Sequence, residues 1–143
     1  MRLALYLVLC FFSVSSFAGS GKAIVPSWIA GGNNSITVLT ISNITDNDIA
    51  VNVVFYGKDG QVIQPSQFEN FTLGNSVITA GNTGQVRISS TTSQYGYAVI
   101  NWENTADDAA DDTIALVARG YHQVVDTARR TNSLIQINNG MPF

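Results

Sequence analysis

Hydrophobic and polar residues alternate along most of the chain with a period of two. Between Asp48 and Tyr56, Ile49, Val51, Val53 and Phe55 fall on one side, and Ala50, Asn52, Val54 and Tyr56 on the other. That is the pattern of a half-buried strand, reinforced by its β-branched residues. Ser35–Ser42 reads as a strand before it. The intervening Asn43–Asp48 is turn chemistry, because Asn and Asp side chains close local turns. Asp59-Gly60 marks a hairpin-type turn after it, and Gln61–Ile63 starts a short return strand. Gln67–Leu73, Val77–Thr79 and Gln85–Ser89 read as further strands. Gly96–Glu103 follows, with Ala98, Ile100 and Trp102 on one face. Thr113–His122 places Ile114, Leu116 and Ala118 opposite Val117, Arg119 and Tyr121, and Ser133–Ile137 closes the series. No segment keeps a 3.6-residue period; Asp107–Ala115 predicts one helical turn at most.

About eight short strands separated by Gly- and Asn-rich turns predict an all-β fold. The expected architecture is an antiparallel, immunoglobulin-like β-sandwich, with a small β-barrel as the alternative.

The N-terminus follows a different rule. Met1-Arg2 is positive, Leu3–Phe12 is an apolar run, and Ser13–Ala18 is small and polar, ending in Ser16-Phe17-Ala18. This is the layout of a secretory signal peptide, too short to span a bilayer. It predicts cleavage after Ala18, leaving residues 19–143 as one domain with no membrane insertion. Cys10 lies within the apolar run, so the mature chain would carry no cysteine. A disulfide-free exported domain points to a bacterial periplasm or cell exterior.

Composition narrows the function. The chain has 7 basic and 10 acidic residues, but 12 Gly. Removing Arg2 with the leader leaves a formal charge of −4, which argues against nucleic acid or anionic lipid as a partner.

Ile36–Gly60 resembles exported bacterial immunoglobulin-like sandwiches: a strand ending in Asn, an Asp-rich turn, and an alternating strand ending in aromatic-x-x-Asp-Gly. The order of elements also resembles the sensory rhodopsin transducer family. Ala23-Ile24 with Trp28-Ile29 matches its opening segment, Asn43–Tyr56 its central hairpin, and Ala118–Asp126 its late strand. The resemblance implies a small sandwich that binds or assembles. The export signal departs from that cytoplasmic family, so the partner is not carried over.

Few residues offer catalytic chemistry. His122, with Asp126 four positions on, is the sole histidine base, and no G-x-S-x-G elbow accompanies it. Glu69 and Glu103 are not paired by any pattern. The expectation is a non-enzyme without cofactor, with a small hydrolase as the least favoured reading. Glu103–Asp112 holds half of all acidic residues. It predicts a solvated loop, and Asp107, Asp108, Asp111 and Asp112 are the calcium candidates.

Aromatic residues carry the leading reading. Tyr56, Tyr97 and Tyr121 lie on the strand faces opposite the better core positions, together with Val54, Val99 and Val117. If their strands share a sheet, they form an apolar face for a protein partner or a second copy. The alternative is a carbohydrate-binding module displaying Trp28 and Tyr95 at loop level. Trp102 follows the apolar alternation and is expected in the core.

Overall fold

The computed structural model describes residues 19–32, 34–105, 112–125 and 130–143. The signal-peptide segment and Asp107, Asp108, Asp111, Asp126 and Arg129 lie outside them. Ten strands are present among the described residues: β1 (Ser20–Ala30), β2 (Ser35–Asn43), β3 (Ile49–Gly57), β4 (Val62–Ile63), β5 (Gln67–Glu69), β6 (Val77–Ile78), β7 (Thr83–Ile88), β8 (Gln94–Asn104), β9 (Leu116–Val125) and β10 (Arg130–Gln136).

They form two antiparallel sheets. The first runs β1-β8-β3-β4, with β6 also against β3; the second runs β10-β9-β2-β7-β5. The sheets stay separate, so the fold is a sandwich and not a barrel. The central order matches an immunoglobulin domain: β2-β7-β5 stands for strands B-E-D, and β8-β3 for F-C. The chain ends differ. β1 occupies the place beside β8 that the last immunoglobulin strand takes, and β9 lies beside β2.

The alternation read in β3, β7 and β8 places the core. Val51, Val53, Phe55, Ile100 and Trp102 point inward from the first sheet, against Leu39, Ile41, Val86, Ile88, Leu116 and Ile135 from the second. At roughly 25 cal/mol for each Å² of apolar surface removed from water, this burial is the main force holding the sheets together.

Five expectations are corrected. β1 carries no alternating signal in the sequence, because Pro26-Ser27 breaks the period; a register shift between Val25 and Trp28 absorbs the break and lets pairing with β8 resume. Gln67–Leu73 yields only β5, since Asn70 takes φ 58° and Leu73 φ 48°, which end the extended run. Ile114 is exposed and precedes β9. Leu134 is exposed although Ile135 and Ile137 are core. β10 opens at Arg130, ahead of the Ser133 start that the pattern predicts.

A buried Asn43 closes the turn between β2 and β3. Its Nδ2 donates to the carbonyls of Asn47 (2.7 Å) and Ile78 (3.1 Å). Its Oδ1 accepts from the Thr45 amide and hydroxyl, both at 2.9 Å. This is the local side-chain turn that the Asn/Asp run predicts.

Candidate recognition surface

The outer face of the first sheet is built in rows by strand register. Ile24, Val99 and Val54 lie side by side across β1, β8 and β3. The next row holds Tyr97, Tyr56 and Val62 across β8, β3 and β4. Ile29 and Tyr95 pair beyond it. Ile24 is 58% exposed, Tyr97 43% and Val62 53%; Val54 and Tyr56 are half-buried and Val99 is buried between its neighbours, so the rows form one uncharged apolar face with its exposed area at Ile24, Tyr97 and Val62. Lys22, Asn101 and Asn52 border it on one side.

Tyr56 and Tyr97 stack at 4.9 Å between ring centroids, with planes 15° apart. Directly opposite residues on paired strands have closely spaced Cβ atoms, and aromatic pairs gain from this offset stacking. Tyr97 is exposed beside its half-buried partner Tyr56.

The stack rests on a buried indole. Trp28 is fully buried, and its Nε1–H donates to the carbonyls of both Tyr56 (3.0 Å) and Tyr97 (3.1 Å). The ring also meets Phe55 edge-on at 5.8 Å. Glycine is required at position 96, opposite Trp28, because a Cβ there would collide with the Tyr56 carbonyl oxygen.

Tyr121 does not join this face. Its strand, β9, belongs to the second sheet, where Tyr121 sits between Val38 of β2 and Leu134 of β10. Val38 points outward there yet is buried, with Tyr121 and Arg87 in register on its two sides. Of the three tyrosines, the fold brings two together and sends the third to the opposite side. Ile24 and Ile29 of the face were missed with β1; they signal themselves only once that strand is recognised.

The carbohydrate alternative loses Trp28, which is core and not loop-level. Tyr95 remains exposed. Trp102 is buried as expected.

His122 faces the interior near the edge between the sheets. Its Nδ1 lies 2.9 Å from the Thr37 hydroxyl, and its Nε2 lies 3.4 Å from Ser27 Oγ. The fully buried Thr37 hydroxyl donates to the Ile29 carbonyl at 2.8 Å and accepts from the Ile29 amide at 3.0 Å. Its one proton is thus used, so Nδ1 carries the hydrogen and donates to Thr37. Burial holds the imidazole pKa below its ordinary 6.5. A Ser–His–Thr chain exists, but a hydroxyl stands where a triad carries a carboxylate. The arrangement ties β1 to β2 and β9.

Of the calcium candidates, Asp112 is described, and its Oδ2 accepts from Asn47 Nδ2 at 3.3 Å. No cluster of three or more His, Cys, Asp or Glu suited to a metal ion occurs among the described residues. Searches of family models, curated proteins and solved structures found no match to this chain.

Proposed function

We propose that this protein is an exported, non-enzymatic assembly module that associates through the outer face of its first sheet. The observation that carries the reading is the continuity of Ile24, Val99 and Val54 with Tyr97, Tyr56 and Val62 across four strands. Soluble domains seldom leave such a contiguous apolar surface without using it. Tyrosines supply large contact area with few rotors to immobilise, which favours them at interfaces.

The occupant this face fits best is a second copy. An uncharged apolar face can meet a copy of itself without like-charge repulsion, and a two-fold dimer needs only such self-complementarity. The signal-peptide pattern of residues 1–18 supports a periplasmic or extracellular setting for the module. Solution mass across a concentration series, with and without substitutions at Tyr56 and Tyr97, tests the reading.

A further inference from the structure

One end of the sandwich carries a second feature. Where β3 turns into β4 and the chain enters β8, Lys58, Asp59, Gln61, Thr92, Gln94 and Tyr95 line a depression of about 280 Å³. This lies near the small end of the range for small-molecule sites, ~300 Å³, and suits one ring rather than an extended ligand.

Its chemistry is specific. Tyr95 is 56% exposed and takes part in none of the ring pairs formed by the other aromatics. Asp59 accepts from the Gln61 amide at 3.3 Å through Oδ1. Thr92 and Ser93 add hydroxyls to the lining.

An aromatic ring beside a carboxylate, an ammonium and hydroxyls matches a neutral sugar. The C–H face of a pyranose packs on an aromatic ring, while its hydroxyls both donate and accept. A carboxylate at Asp59 disfavours an anionic ligand, and a purely apolar ligand would strand the polar groups. We propose that this depression is a saccharide subsite. Tyr95 stacks on the sugar ring, Asp59 accepts from its hydroxyls, and Lys58 donates. The subsite adjoins the Tyr56–Tyr97 face through Tyr95, but its test reads sugar binding and not solution mass, so the two readings fail separately.

The test is NMR titration of residues 19–143 with cellohexaose, chitohexaose, xylohexaose and mannohexaose, each up to ~10 mM, a range that detects a single subsite with Kd about 1 mM. The proposal predicts saturable shifts at Tyr95 and Gln94 with at least one of the four. Tyr95→Ala and Asp59→Asn should each weaken that binding about tenfold or more while leaving the folded spectrum intact. Tyr95→Phe should retain it, since the ring and not the hydroxyl does the stacking. No saturable shift with any of the four, or binding unchanged in Tyr95→Ala, overturns the proposal.

Discussion

Tyr56 and Tyr97 face one another across neighbouring strands, and their carbonyl oxygens share a single donor, the indole N–H of Trp28. The outer stack and the inner core are therefore one assembly. The backbone that sets the spacing of the two rings is pinned from beneath by a residue that never reaches the surface.

Trp28→Phe tests that link. It keeps most of the ring volume but leaves two carbonyls without their indole donor, at a cost of about 1–3 kcal/mol. Trp28→Ala should cost more, about 3–5 kcal/mol, because a cavity opens beside Phe55. Urea unfolding should rank the variants in that order, and a Trp28→Phe variant as stable as wild type would contradict the role given to Nε1.

The two tyrosines should be energetically coupled. A double-mutant cycle of Tyr56→Ala and Tyr97→Ala should return about 0.5–1 kcal/mol of interaction, as expected for a stacked cross-strand pair. Strict additivity of the single losses would show that the rings pack independently.

Asn43 uses two donors and two acceptor contacts in the turn before β3. Asn43→Ala strands partners on all sides and should cost about 2–4 kcal/mol, read as a lowered denaturation midpoint. Asn43→Asp should also destabilise, because a carboxylate accepts but cannot donate to the Asn47 and Ile78 carbonyls.

His122 makes stability depend on pH. Burial lowers its folded pKa, so on acidification the unfolded chain takes up a proton first, near 6.5. Its contribution is complete above that pH, declines as pH falls through about 6.5, and levels off once the folded imidazole is protonated. Comparing wild type with His122→Gln between about pH 7 and about pH 5 should show the steeper loss in wild type. Parallel curves would remove His122 as a source of acid sensitivity.

Much of the fold was legible because its signals are local. The alternation in β3 assigns Ile49, Val51, Val53 and Phe55 to the core without any knowledge of neighbours, and the structure buries all four. The same logic failed at β1, where Pro26 and the bulge interrupt the period on which the reading depends. It also failed for Tyr121. Alternation tells which side of a strand a residue occupies, not which sheet the strand joins, and β9 pairs with β2 instead of β8. The contacts of His122 with Thr37 and Ser27 cross 85 and 95 positions of sequence. Nothing in the local pattern announces such pairs.

The most direct test of the central claim is the solution mass of residues 19–143 by light scattering over a concentration series. Association through the first sheet predicts a mass that rises to that of a dimer with concentration, and a return to monomer in the Tyr56→Ser, Tyr97→Ser double variant. A monomer at every concentration, or a dimer indifferent to those substitutions, would contradict it.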